Sequence, residues 1–352
     1  MFLVIGCATG SIPKRVSAEA AMEGSIAPAL TVEDLTIDID GASVVDGVSF
    51  SVGAGEVIAL VGESGCGKSL TALALLGLLP DAAQIVHGRV LLNGVDLVSL
   101  PEREMRRVRG SRLSIIFQEA TASLDPLTTV GSQIAEAYAL HHRVSRSQAR
   151  TKAKDMLVAV GIPDADRRLG QYPFELSGGM CQRIMIAIAL ICGPRVLVAD
   201  EPTTALDVTI QAQILDLMKR LVAERGTGIV LITHDMGVVA HVADRVAVMY
   251  AGRIAEIAPV DDVFARPCHP YTALLLAAVP RLDLKPKQLL ATIEGKVPAA
   301  GDFVDGCRFA DRCPVAGDRC RIKAPPLVEV ARGHRTACWH VDRVVELAGS
   351  AG

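Results

Sequence analysis

The sequence predicts an α/β fold around a mainly parallel sheet. Short apolar runs that read as strands (Glu56–Val61, Val196–Ala199, Gly228–Thr233) alternate with helical stretches (Lys68–Leu79, Met180–Ile191, Ile210–Glu224). These runs have no polar face, which marks strands covered on both sides, as in parallel sheets. A glycine-rich loop, Gly62–Ser69, joins one such run to a helix.

The remaining elements follow in chain order. Leu30–Asp38 is a strand with apolar residues at Val32, Ile37 and Ile39, and Val44–Val52 is its partner. Pro80 stops the first helix. Gly88–Asn93 is a further short strand, as is Leu113–Phe117. Ser132–Leu176 reads as mostly helical and polar, opened by Val130-Gly131. Gly193-Pro194 ends the helix begun at Met180. After about Pro259 prolines become frequent and cysteines cluster, so a boundary is placed there. The expected division is a flexible tail over 1–29, a main domain over 30–259 with a helical part at about 119–180, and an extension over 260–345.

Length and composition narrow the class. The chain has 352 residues, 50% hydrophobic and 21% charged, which excludes disorder and fibrous repeats. At 36 Lys+Arg against 39 Asp+Glu, the net charge of −3 is too even for a general nucleic-acid footprint. No stretch reaches the roughly 18 apolar residues that span a bilayer. Met1–Pro13 lacks a basic region, so a secretory signal is not expected, and Met22 competes with Met1 as the start.

Gly62-Glu63-Ser64-Gly65-Cys66-Gly67-Lys68-Ser69 matches the phosphate-loop pattern between a strand and a helix. Its glycines let successive N–H groups face phosphate oxygens, and the helix N-terminus adds positive potential. Lys68 supplies a point charge, and Ser69 can ligate Mg²⁺. Val196–Ala199 runs into Asp200-Glu201. Asp200 is placed to hold Mg²⁺ and Glu201 to polarise an attacking water. Cys66 reads as a small residue filling the turn.

In order, the phosphate loop, Gln118, Leu176-Ser177-Gly178-Gly179-Met180-Cys181-Gln182, Asp200-Glu201, Asp207 and His234 resemble the ATPase subunit of an ABC transporter over about Leu30–Pro259. The resemblance implies an ABC nucleotide-binding domain: a RecA-like P-loop core with an antiparallel β subdomain and a helical subdomain. It implies ATP and Mg²⁺ as cofactors. By resemblance, Gly62, Ser64, Gly65, Cys66, Gly67, Lys68, Ser69 and Leu70 bind ATP. Ser69, Gln118 and Asp200 serve Mg²⁺. Glu201, His234, Lys68 and Gln118 act in hydrolysis. Leu176, Ser177, Gly178, Gly179 and Gln182 form the signature that grips ATP held by a second ATPase subunit, a paralogue or another copy. Asp207 marks the D-loop. The sequence departs from the family twice. The ring that usually stacks on adenine is missing, leaving Ile39 at that place, and Leu70 stands where Thr is common.

Past this domain, Arg266–Thr272, Ala278-Val279-Pro280, Gly295–Pro298 and Gly306–Phe309, with Glu119–Val130 earlier, are similar to oligopeptide/dipeptide importer ATPases. Nickel importer ATPases belong to the same broad group. Cys307, Cys313, Cys320 and Cys338 lie within 32 residues at spacings C-x5-C-x6-C-x17-C. These gaps are wider than the tight pairs of structural zinc and suit an Fe–S cluster; zinc or unligated thiols are the alternatives. The resemblance implies a [4Fe–4S] centre there. It also implies two transmembrane permease subunits, an extracytoplasmic solute-binding protein and a peripheral place on the cytoplasmic face of the cell membrane, with no nucleic acid. A soluble, non-transport ABC ATPase is the reading from another class.

Overall fold

The computed structural model describes residues 27–204, 206–279 and 292–344. The expected tail over 1–29 therefore falls mostly outside the described residues. The chain opens with a hairpin of β1 (Leu30–Ile39) and β2 (Ala42–Val52), then β3 (Val57–Val61), which is buried at every position. The glycine-rich loop leads into α1 (Lys68–Leu75). β4 (Ala83–Leu92) pairs with β1, and β5 (Val95–Asp96) completes an antiparallel sheet of order β2-β1-β4-β5.

α2 (Glu102–Val108) and β6 (Leu113–Ile116) precede a helical arm. The arm comprises α3 (Ala120–Ser123), α4 (Val130–Ala139), α5 (Arg146–Ala159), α6 (Ala165–Arg168) and α7 (Gly178–Leu190). β7 (Val196–Asp200), α8 (Val208–Arg225), β8 (Gly228–Thr233), α9 (Met236–Val242) and β9 (Arg245–Tyr250) restore the alternation. β10 (Arg253–Pro259), α10 (Val260–Ala265), α11 (Pro270–Ala277), α12 (Asp318–Ile322), β11 (Val328–Ala331) and β12 (His334–Thr336) follow.

The second sheet has the order β11-β12-β10-β9-β3-β8-β7-β6. β9, β3, β8, β7 and β6 are parallel; β10, β12 and β11 add on antiparallel. Period-two alternation divides each buried strand between two cores. Ala59, Val61, Leu197 and Leu231 face the helices α4, α7 and α8, whereas Ile58, Leu60, Val198 and Val230 face the antiparallel sheet and α1.

Two boundaries differ from the sequence reading by more than two residues. α1 stops at Leu75, not Leu79, because the chain turns before Pro80: Gly77 N–H returns to Ala74 O and Leu78 N–H to Leu73 O. β4 begins five residues before Gly88. Gly88 is not a strand start but an irregular point inside one, at φ +100°, pressed against the bulged stretch Glu33–Thr36 of β1. A Cβ there would stand 2.6 Å from both the Glu33 and Asp34 carbonyl oxygens. We expect Gly88→Ala to lower unfolding free energy by about 2 kcal/mol or more. The midpoint of a urea titration would show this.

Candidate nucleotide-binding site

Strand register builds the site. Val61 pairs with Thr233, and Asp200 pairs with Ile232. The carboxyl ends of β3, β7 and β8 are therefore level, and the glycine loop, Glu201 and His234 leave the sheet along one edge. Such an edge of a parallel sheet is where ligands bind.

The loop needs glycine at its first position. A Cβ on Gly62 would overlap the Met249 carbonyl oxygen and lie 2.9 Å from the Cys66 sulfur. Gly67 caps α1 at φ +101°, with Val45 of β2 packed over it. Among the described residues, the N–H groups of Ser64, Gly65, Gly67, Lys68 and Ser69 have no acceptor within the chain. They form the cradle the motif predicts. Lys68 is buried, its Nζ donating to Gly62 O at 2.7 Å and Glu63 O at 2.9 Å. Cys66 is fully buried, and burial pushes its thiol up.

Ser69 Oγ donates to Asp200 Oδ1 at 3.2 Å. Next to it, the Glu201 carboxylate gathers three partners. Gln118 Nε2 donates at 3.0 Å and Thr204 Oγ1 at 2.9 Å, both to Oε2, while His234 Nδ1 lies 2.8 Å from Oε1. An ionised carboxylate only accepts, so His234 Nδ1 is the donor in this contact. Glu201 holds this place from a left-handed backbone, φ +45°, with its N–H on Ile232 O.

The adjacent acids diverge. Burial pushes Asp200 up, and the neighbouring Glu201 charge adds to it; the Ser69 hydrogen bond and Lys68 oppose this in part. Burial pushes Glu201 up as well. Hydrogen bonds from His234 and Thr204, with the charges of His234 and Lys68, outweigh it and leave this carboxyl below its ordinary value. Glu201 is thus the acid that stays ionised to lower pH. Paired titratable groups with opposed shifts are a mark of acid–base chemistry.

The signature residues stand elsewhere. Ser177 and Gly178 are exposed, and Ser177 Oγ caps α7 by accepting the Met180 N–H. Asp207 caps α8 through the Ile210 N–H at 3.0 Å. A Cβ on Gly179 would meet Ile210 at 3.0 Å, so the signature and the start of α8 are neighbours. Gln182 is buried with its Nε2 unpaired among the described residues. No hydrogen bond among the described residues links Ser177 or Asp207 to Lys68, Asp200 or Glu201. Leu176 is half-buried and packs against the helical core. Leu70 and Ile39 both pack at the margin of the other core, and Ile39 ends β1 opposite Ala42.

Sequence reasoning missed three residues at the site. Thr204 was signalled by its spacing, three after Glu201. Tyr271 and Arg312 were not: both reach Glu63 from more than 200 residues away.

Beyond Pro259, Cys307, Cys313, Cys320 and Cys338 line one small cavity with Phe309, Trp339 and His340. His340 Nε2 is buried there without a partner among the described residues. Burial raises the Cys307 thiol, carries Cys313 to about 11 and Cys338 to about 12, the other thiols adding to each. A separate buried group, Glu256 with Cys268 and His334, has its ligand atoms within 4.8 Å of one another. Its carboxylate is already occupied, accepting the N–H groups of Cys268 (2.6 Å) and His269 (3.0 Å) and pairing with His334 Nε2 at 2.6 Å. His269 stays neutral, since burial lowers it to about 4, and its Nδ1 caps α11.

A phosphate loop after β3, a histidine after the adjacent β8 and two acids at the end of β7 beyond it define an ATPase of the ATP-binding cassette class. The family model "ABC transporter" matches residues 45–204, and "Oligopeptide/dipeptide transporter, C-terminal region" matches 255–320. The chain belongs to the ATP-binding proteins of ABC transporters, in the branch that carries this C-terminal region. It is 54% identical over 302 residues to the Sinorhizobium fredii protein y4tR, named "Probable peptide ABC transporter ATP-binding protein", covering 86% of this chain and 90% of that one. It is 50% identical over 309 residues to the dipeptide transport ATP-binding protein DppD of Bacillus subtilis, covering 88% and 92%. Among solved structures it resembles cbiO1 of Clostridium perfringens, part of an ABC transporter complex, with TM-score 0.60 and 27% identity over 68% of this chain and 91% of that one. A dimeric, post-hydrolysis ATP-binding cassette bound to ADP and phosphate gives TM-score 0.59 and 26% identity over 66% and 98%.

The Glu201 environment can be tested directly. Thr204→Val removes one donor to the carboxylate, so the protonated form loses its disadvantage and the pKa rises. We expect the carboxyl to titrate at higher pH than in the wild type. A ¹³C titration of the carboxyl carbon would record it.

Proposed function

We propose that this chain is the ATP-hydrolysing subunit of an ABC importer for di- or oligopeptides. The observation that carries the reading is the convergence of Lys68, Ser69, Asp200, Glu201, Gln118 and His234 on one edge of the sheet. The peptide assignment is supported by the match over 255–320 and by relatives whose names specify peptides, which favour it over nickel or a non-transport role. The ATPase unit is read as 30–259, its helical part as about 119–180, and 260–345 as the extension.

In this reading the loop amides from Ser64 to Ser69, with Gly62 and Gly67 shaping the curl, receive the β- and γ-phosphates, and Leu70 contributes only backbone. Lys68 leaves its carbonyls to meet them. Ser69, Asp200 and Gln118 would hold Mg²⁺, which supplies charge neutralisation on the phosphate oxygens. Glu201, kept ionised by Thr204 and His234, accepts the hydrogen bond of the attacking water. His234 stabilises the charge on the γ-phosphate. Ser177 and Gly178 face a second subunit, which fits their exposure and their separation from the acids, while Leu176, Gly179 and the buried Gln182 complete the signature behind them. Asp207 stands at the same interface. Val45 packs on Gly67 but is fully buried, so Ile39 is the candidate to lie against adenine.

No helix among the described residues is long and apolar enough to cross a membrane. From its kinship with importer ATP-binding proteins we read the chain as peripheral on the cytoplasmic face, working with two transmembrane permease subunits, an extracytoplasmic solute-binding protein and a second ATPase subunit.

The four-cysteine cavity is the proposed home of a [4Fe–4S] cluster. The Cys307, Cys313 and Cys338 thiols, raised by burial, would ionise only against metal charge. No three of the four sulfurs come within 4.8 Å of one another, whereas one tetrahedral zinc would bring them to about 3.8 Å. A wider, polynuclear centre suits this spread.

Two outcomes are expected. Glu201→Gln lowers turnover of the assembled transporter by about a hundredfold or more while ATP still binds; retained hydrolysis would remove Glu201 from its role. Anaerobically purified protein should carry about four irons per chain, lost in Cys313→Ser. One zinc and no iron would make the cavity a zinc staple.

A further inference from the structure

Among the residues of the phosphate loop, Glu63 is held from outside the loop. Its N–H donates to the Tyr271 hydroxyl at 2.9 Å, so this amide does not join the cradle. Its carboxylate receives both arms of the Arg312 guanidinium, Nη1 on Oε2 at 2.6 Å and Nη2 on Oε1 at 3.0 Å. Its carbonyl accepts from Lys68 Nζ and from Cys66 N–H. The path from Arg312 to Lys68 therefore runs through one residue.

Arg312 is itself fixed. Its side chain is 7% exposed. Nε donates to Glu294 O at 2.8 Å, and Nη2 also reaches Ile293 O at 3.2 Å. Nη1 reaches the Tyr250 hydroxyl at 3.3 Å, and that ring meets Tyr271 edge-on at 4.7 Å. A planar fork with every arm engaged restricts Glu63 far more than a point charge would.

We propose that Arg312 is a positioning residue for the nucleotide: by clamping Glu63 it keeps the phosphate loop in its receiving curl, so that the C-terminal segment sets the affinity for Mg-ATP. The proposal rests on the ATP reading above and adds a source of control to it. Without the clamp the loop samples other curls, and nucleotide must select the competent one. Apparent Kd rises in inverse proportion to the competent fraction. Because Arg312 immediately precedes Cys313, which lines the four-thiol cavity, reorganisation of that cavity reaches the loop through this side chain.

The test is equilibrium binding of a fluorescent ATP analogue with Mg²⁺ to the full chain, with melting of the nucleotide-free protein measured beside it. Arg312→Ala is expected to raise Kd about tenfold, the result of a competent fraction near one tenth. Glu63→Ala should match it, and the double variant should be no weaker than either single, since both remove one contact. Arg312→Lys should fall between. In the assembled transporter KM should rise with kcat within twofold. A Kd within twofold of wild type in Arg312→Ala, with only the melting temperature lowered, would reduce Arg312 to a strut and overturn the proposal. So would an additive double variant. If Arg312→Ala does not fold, Glu63→Gln decides: it keeps the shape and loses the charge, and an unchanged Kd overturns the proposal. Lys68→Ala is the control for the underlying reading. If it binds as tightly as wild type, the loop is not the nucleotide site and the ATP reading itself fails.

Discussion

Alignment of three strand ends is the constraint on which the rest depends. Val61, Asp200 and Thr233 reach one level because β3, β7 and β8 are parallel and in register. A shift of one residue in β7 would swap the faces of the strand and turn Asp200 away from Ser69. Register is secured in turn by alternation: Ala59 and Leu197 must meet the helices while Ile58 and Val198 meet the antiparallel sheet. The chemistry at the edge is thus specified by the packing of residues that never touch a ligand.

The same edge separates two adjacent acids by their neighbours, not by their type. Asp200 sits deeper, faces a hydroxyl and shares space with a second carboxylate. Glu201 turns out through a strained left-handed backbone and collects donors. Strain of this kind persists where the surroundings fix it, and here the Ile232 carbonyl and three side-chain donors do so.

Much of this was legible in the sequence, for physical reasons. Buried parallel strands are continuous apolar runs, and Val57–Val61, Val196–Asp200 and Gly228–Thr233 were found nearly to the residue. The phosphate loop was legible because its backbone geometry demands glycine at fixed places. The end of α1 was misplaced since Pro80 is a louder signal than the closing turn at Gly77. Gly88 was misread as a boundary because a glycine inside a strand can mark a bulge equally well. Arg312 and Tyr271 could not be found: a contact over 249 or 208 residues leaves no local trace, and an arginine beside a cysteine cluster invites no comparison with a loop near the other end of the chain.

Glu256 bears on how the chain comes into being. This carboxylate is sealed from water on β10, yet one of its partners, His334, lies 78 residues later. During synthesis β10 leaves the ribosome long before His334 does. Until then the carboxylate has only the Cys268 and His269 amides as partners, one short of its full set in an apolar layer. The parallel strands and β10 can assemble early, but the sheet beyond β10 waits for β12. A nascent chain halted before His334 would keep an open sheet border of the kind that recruits other chains. That border closes only when β12 pairs with β10.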